Sequence, residues 1–256
     1  MRPTAFSLFL LTTAGPLLAQ QRMPPSEQYH LQGEYWRWTP KLTATIEKGS
    51  AGTPGTPLDP KADLGFADEK TYEFRAALQF KPGHKLRGGY TALDYRGRQP
   101  APRTFQFGGS TYTRNEPLVA SLKGGYYSAA YEFDFVKGPQ GYVGGMIGAK
   151  YLDVDGVIVA ADSGRIERDH ERVPIPFVGV AFRRYVGRIS LSGEASGLSI
   201  GKRAHMYEVM GAAALHVSDR LAVQAGYRKL ELHGDRAPDL IDVRLGGWQF
   251  GAQLSL

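Results

Sequence analysis

The chain predicts an all-β fold: a closed antiparallel up-and-down transmembrane β-barrel of about ten strands, with eight as the alternative. Three observations carry this. Apolar and polar residues alternate over most of the chain, with charges gathered on the polar face. Short turns alternate with longer links, as in barrels with short periplasmic turns and long outer loops. Mean hydropathy is negative, and nothing after the N-terminal stretch is an apolar run long enough for a membrane helix.

Alternation and turn residues place strands at roughly 34–47, 71–81, 85–96, 118–136, 141–154, 173–184, 188–199, 204–217, 220–232 and 241–256. The second strand is clear: Tyr72, Phe74, Ala76, Leu78 and Phe80 share one face, and Glu73, Arg75, Gln79 and Lys81 the other. In the fifth, Val143, Ile147, Ala149 and Tyr151 read as outward. In the eighth, Val209 and Leu215 do so, and in the last Trp248 and Phe250. Tight turns fall at 82–85, 137–140, 185–187 and 217–220, where Gly, Pro or Asp supply turn chemistry. Longer links fall at 48–70, 97–117, 155–172 and 233–240, with a short one at 200–203. Thr104–Phe107 and Thr111–Thr113 flank Gly108-Gly109-Ser110 and read as an extra outer hairpin. Pro40, Pro174 and Pro176 fall in strands and remove ladder donors, so bulges or late pairing are expected there.

The N-terminus reads as a signal peptide over 1–19. Arg2 precedes an uncharged, mostly apolar run from Ala5 to Leu18, with Ala19 at the cleavage point. A periplasmic segment at 20–33 and the barrel at 34–256 follow. Export of this kind predicts location in the bacterial outer membrane. The chain has no cysteine, which excludes disulfides, thiolate metal sites and lipoprotein anchoring.

The last eight residues resemble the C-terminal recognition signal of bacterial outer-membrane β-barrels. Gln249 stands at its polar position, Gly251 at its glycine, and Leu254 and Leu256 at its apolar positions, Leu256 replacing the usual Phe. Gly55-Thr56-Pro57-Leu58-Asp59 with Ala62-Asp63-Leu64-Gly65, and Gly148-Ala149-Lys150-Tyr151-Leu152-Asp153, are similar to motifs of the broad family of small bacterial outer-membrane β-barrel proteins. The resemblance implies the barrel-assembly machinery as a partner. It implies a fold and a location, not a reaction.

Aromatic residues sort by strand end. Trp36, Trp38, Phe80, Phe133, Phe135 and Phe182 are expected in a periplasmic girdle, and Tyr72, Tyr151 and Tyr207 in an outer one. A lumen charge network is expected from Arg37, Glu73, Arg75, Arg87, Lys123, Lys150, Arg183, Glu194, Glu208 and Arg228, with Lys41 beside it. Such charges in a narrow lumen must pair. Ten strands enclose little more space than the eight that side chains fill, which favours a plug over an anion-favouring pore.

The expected function is a non-enzymatic envelope or surface-interaction role. A narrow anion-favouring pore is the alternative, and a rim hydrolase, omptin-like or lipid A deacylase-like, the third. For the hydrolase, Asp153, Asp155, Asp169, His170 and His205 lie near the outer rim, but no motif joins them. The acids of the first loop, Asp59, Asp63, Asp68 and Glu69, match no calcium-loop spacing. No cofactor, metal or nucleic-acid partner is expected. A net charge of +6, or +5 without Arg2, favours outer-membrane lipid and lipopolysaccharide as partners.

Overall fold

A computed structural model describes residues 27, 29–201 and 203–256; the signal peptide read at 1–19 lies outside them. Ten strands close the barrel in the order β1-β12-β11-β10-β9-β8-β7-β6-β3-β2. They are β1 (Leu31–Glu47), β2 (Thr71–Lys81), β3 (His84–Pro100), β6 (Pro117–Gly138), β7 (Gly141–Ala160), β8 (Arg165–Val186), β9 (Ile189–Ile200), β10 (Ala204–His216), β11 (Leu221–Arg236) and β12 (Asp239–Ser255). The expected hairpin, β4 (Phe105–Phe107) with β5 (Ser110–Tyr112), rises between β3 and β6. All wall pairings are antiparallel, and β1 closes on β12 from Gln32↔Ser255 to Glu47↔Leu240. Closure leaves no free edge along the lower barrel.

Two of the links read as long loops are tight hairpins instead. β7 and β8 run on to Ala160 and Arg165, and β11 and β12 to Arg236 and Asp239. Turns at 161–164 and 237–238 mark these ends, but the strand alternation continues through the polar residues before them. β1 also begins at Leu31, earlier than read.

The prolines set the shape of the wall. β8 passes through Pro174 and Pro176 paired to β7, but its pairing to β9 begins only at Val178. β1 passes through Pro40 paired to β12, while its pairing to β2 stops at Trp38. In both places the pairing on the second side stops two residues short of the proline. The wall is therefore tall over β3, β6, β7 and β8, low over β9–β10, and notched beside β1.

Residues 48–70 fill the notch beside β1. Ile46 bridges Leu58, and Phe66 bridges Gly97 of β3. Gly97 permits this approach, since a Cβ there would stand 2.1 Å from the Leu64 carbonyl oxygen. Helix α1 (Pro60–Leu64) is capped by Asp59, whose carboxylate accepts from the Lys61 and Ala62 amides, and ends at Gly65 with φ 74°. Leu58, Leu64, Phe105 and Tyr112 then pack on Leu118, Ala120, Ile158 and Ala160 of β6 and β7. The acids of this loop have structural partners. Asp63 takes Arg103 at 3.0 Å, and Asp68 accepts from the Leu42 amide at 2.8 Å and the Lys61 ammonium at 2.7 Å.

Candidate functional site: the lumen and its two ends

The interior is stacked in layers, and the strand register assembles each one. At the turn end, Glu27 and Tyr29 are packed into the barrel mouth. Glu27 meets Lys85 at 3.1 Å and the Tyr185 hydroxyl at 3.0 Å, with Arg183 at 3.6 Å. Arg183 also donates to Gln32 and lies 3.5 Å from Glu34. Lys85, 1 % exposed, sits among Glu27, Glu132 and Asp134 and over the Tyr142 ring at 3.2 Å. Ser190 and His216 share a buried hydrogen bond of 2.9 Å nearby.

The next layer is the charge network. Arg87 bridges Glu132 (2.7 Å) and Glu194; Arg75 bridges Glu73 (2.7 Å) and Glu194 (3.5 Å). Arg228 bridges Glu73 (2.9 Å) and Glu208 (2.7 Å), while Lys150 also bonds Glu208. Four acids and four cations from β2, β3, β6, β7, β9, β10 and β11 thus form one chain of ion pairs around a residual cavity of about 70 Å³. That volume holds a handful of waters.

Above the network the lumen turns apolar. Trp38, Leu42, Ala44, Tyr95, Tyr126, Leu230 and Leu245 form a buried septum, with Phe66 from the loop and Leu122 and Leu152 packed against it. Arg228 joins the layers: its guanidinium lies 4.5 Å from the Trp38 ring while its nitrogens hold Glu73 and Glu208. At the mouth, Lys48 of the β1 exit reaches Asp169 (2.8 Å), Glu171 (2.9 Å) and Asp239 (3.8 Å), tying β8 and β12 together across the opening. Burial alone would lower the Lys48 pKa, but bonds to Asp169 and Glu171 outweigh it and raise the ammonium above its usual range.

Several predicted site residues are placed otherwise. Trp36 and Trp38, read as girdle residues, are each 1 % exposed and face inward. Arg37 and Lys41, on the opposite parity of β1, face outward, as does Lys123 of β6. The network forms without these three. Glu73, Arg75, Arg87, Lys150, Arg183, Glu194, Glu208 and Arg228 do face the lumen. Lys85, Glu132 and Asp134 belong to it and were missed; the parity that makes Phe133 and Phe135 outward already implied that Glu132 and Asp134 point in.

Tyr72, Phe80, Phe133, Phe135, Tyr151, Phe182 and Tyr207 face outward. The register extends them into a row, Tyr90↔Tyr127↔Tyr151, with ring centroids 5.0 and 6.4 Å apart. From Tyr72 to Phe80, Tyr127 to Phe135 and Tyr207 to Leu215 is nine residues each, within the roughly 9–11 needed by a tilted membrane strand. In the C-terminal stretch, Gln249 and Gly251 face in, and Leu254 and Leu256 face out. Gly251 opposes Trp36 across β12–β1, and a Cβ there would meet the Trp36 ring at 3.0 Å. That glycine therefore seats the Trp36 indole.

The rim acids do not converge on a cleft. His170 bonds Asp155 (2.6 Å) and lies 3.3 Å from Asp153, but on the convex outer face of β7–β8. Asp169 points to the other side, onto Lys48. His205 stacks on His233, also outward, with centroids 5.0 Å apart.

No family model matches the chain, and no curated protein does. Among solved structures, the chain is similar to the outer-membrane protease OmpT of Escherichia coli, at 10 % identity over 88 % of this chain and 96 % of that one, with a TM-score of 0.56. It is similar also to the attachment invasion locus protein Ail of Yersinia pestis, at 11 % identity over 90 % of this chain and all of that one, TM-score 0.39. The fold is that of the bacterial outer-membrane β-barrels.

Proposed function

We propose that this chain is a sealed barrel of the bacterial outer membrane, non-enzymatic, whose ion-paired lumen stiffens a platform for surface interaction. The outward belt of Phe74, Leu78, Leu86, Ile147, Val178 and Val209, bounded by aromatic rows, supports embedding in a bilayer. On that reading the short turns and both termini lie in the periplasm, and the tall wall with its packed loops stands outside the cell.

The observation that carries the sealed reading is the septum. A conducting path for ions must be wet, and Trp38, Leu42, Tyr95, Tyr126, Leu230 and Leu245 fill the barrel with apolar volume above the charges. The lumen acids Glu27, Glu34, Glu73, Glu132, Asp134, Glu194 and Glu208 are at least as many as its cations, so no cation excess supports an anion-favouring pore. The outward placement of His170, Asp153 and Asp155 speaks against a rim hydrolase.

Planar-bilayer recording of the refolded full-length barrel tests this. No conductance steps are expected. Discrete, reproducible steps, with heat-modifiable gel migration showing an intact barrel, would overturn the sealed reading.

A further inference from the structure

Among the described residues, the upper part of β8 has one unpaired side. It is paired to β7 from Arg165 to Arg184, but to β9 only from Val178 to Val186. Counting on from Val178↔Gly197, the β9–β10 turn at Gly201 stands level with Pro174. Pro174 pairs with Tyr151 of the outer tyrosine row, so residues 165–173 rise above both the belt and that turn.

Backbone alternation fixes which groups face the open side. The Tyr185 amide donates to the Gln140 carbonyl, on the β7 side. The β7 ladder runs on from there without a bulge, so odd residues turn N–H and C=O to β7 and even residues turn theirs away. Pro174 and Pro176 are even, and neither has an N–H to leave unpaired at the foot of the edge. Above them, Ile166, Arg168, His170 and Arg172 each offer an N–H and a C=O. None of these groups has a hydrogen-bond partner among the described residues.

The edge is held extended from behind. Its odd side chains face the mouth, where Glu167 accepts from Ser110 at 3.1 Å, and Asp169 and Glu171 hold Lys48 at 2.8 and 2.9 Å. Its even side chains face out. On the β7 side, Asp155 takes His170 at 2.6 Å and Asp153 lies 3.5 Å from Arg172. Arg168 stands across from Val157 and makes no ion pair among the described residues, and Ile166 is 62 % exposed. The outward face of the edge is therefore basic with an apolar end. Opposed residues of an antiparallel pair share a face, so a second copy docked along this edge would set Arg and His against Arg and His. Self-pairing is disfavoured, and a strand with acids on its outward face is matched.

Resting on the reading above that the tall wall stands outside the cell, we propose that this edge binds an extended acidic segment of a partner polypeptide by strand addition. The segment runs antiparallel to β8, with acids opposite Arg168 and Arg172 and an apolar residue opposite Ile166. Main-chain bonds to the four even residues give the affinity, and the outward side chains give the selectivity. The clamped inner face presents the edge already extended, which lowers the ordering cost of docking.

The probe is a labelled, end-blocked synthetic peptide, Glu-Thr-Thr-Thr-Glu-Thr-Val, titrated into the refolded full chain in detergent and followed by fluorescence anisotropy. Saturable binding is expected, with slowed amide exchange at Arg168 and His170. The same peptide with Lys for Glu should bind about tenfold more weakly, and Arg168→Gln should weaken the acidic peptide about two- to fivefold. His170→Pro removes an edge N–H at the parity the native prolines already occupy, and should abolish binding. Lys229→Gln, on the far wall, should bind as the parent does. Absence of saturable binding to the parent overturns the proposal, as does equal binding of the Lys peptide or full binding by His170→Pro. A dimer of the parent that His170→Pro dissolves would assign the edge to a second copy and overturn the peptide assignment. Heat-modifiable migration in each variant reports the barrel separately. Binding in detergent that is absent on intact cells displaying the barrel would overturn the outside placement, and with it a surface partner, so failure of that reading and failure of the strand site are distinguishable.

Discussion

The half of the barrel below the tyrosine row and the half above it have opposite polarity. Below, charges line the inside and apolar side chains the outside: Glu73, Arg75, Glu194 and Arg228 face in, and Phe74, Leu78, Val209 and Phe250 face out. Above, Leu42, Leu122, Val154 and Ile158 face in, while Lys41, Lys123, Asp155 and His170 face out. The lower half has a lipid-facing wall around a polar interior. The upper half is built like a soluble barrel, with a core of its own. One continuous set of strands serves both because backbone pairing is indifferent to which face is wet. The sequence only has to switch which parity is apolar.

That switch explains where the sequence was legible and where it was not. Strand existence, number and most parities followed from alternation, since β2, β7, β9 and β10 keep one apolar face throughout the belt. β1 misled because its apolar face, Trp36, Trp38, Leu42 and Ala44, is the inward one. A rule that sends apolar residues to lipid inverts it, and carries Arg37 and Lys41 inward with it. Lys123 failed for the same reason, lying four residues above Tyr127 on the same outward face. The β1 register with β12 resolves it, since Phe250 and Trp248 face out and Arg37 pairs with Phe250. The partners within the network were not legible, because ion pairs such as Arg75 with Glu194 join residues 119 apart.

The comparison is broken most directly by two volume-conserving substitutions. Glu208→Gln leaves Lys150 and Arg228 without their shared carboxylate in the lower half. It should cost about 3–5 kcal/mol of unfolding free energy, the range for breaking a buried pair. Leu245→Met in the septum conserves volume and should cost less than about 1.5 kcal/mol. Truncation removes the difference: Trp38→Ala should cost about 3–5 kcal/mol through the cavity it leaves, as much as Glu208→Gln. Denaturant unfolding in lipid vesicles measures all three. Equal costs for Glu208→Gln and Leu245→Met would mean that the two halves are held together in the same way.

A finer test lies within the lower half. Both Glu194 and Glu208 line the residual cavity, but the Glu194 side chain is 24 % exposed against 11 % for Glu208. Glu194→Gln removes charge-assisted bonds from Arg75 and Arg87 and should cost about 1–3 kcal/mol, less than Glu208→Gln. A loss near the roughly 0–1 kcal/mol of an exposed pair would show the network to be fully wet. The same result would raise the pore reading, since the septum would then be the remaining barrier.

The smallest effect belongs to the loop that seals the upper half. Burial would raise the Asp68 carboxyl, but bonds from the Lys61 ammonium and the Leu42 amide outweigh it and hold the group below its usual value. Its pKa is therefore lower folded than unfolded. The stability it contributes is present above the unfolded value, about 3.9, and is lost as pH falls through the folded one. Lys48 behaves in the opposite sense. Its raised pKa keeps the clamp on Asp169 and Glu171 through neutral pH, and that contribution fades only in strong alkali. Acid should therefore loosen residues 48–70 at the β1 notch while the lipid-facing wall remains paired. Hydrogen exchange should show the Leu42 amide and the residues of α1 losing protection below about pH 4. Asp68→Asn retains an acceptor for Leu42 but removes the charge. With the side chain 37 % exposed, the cost should be about 0.5–1 kcal/mol at neutral pH, and the acid step should disappear. An acid step of full size in Asp68→Asn would assign the loosening to another carboxylate of the loop.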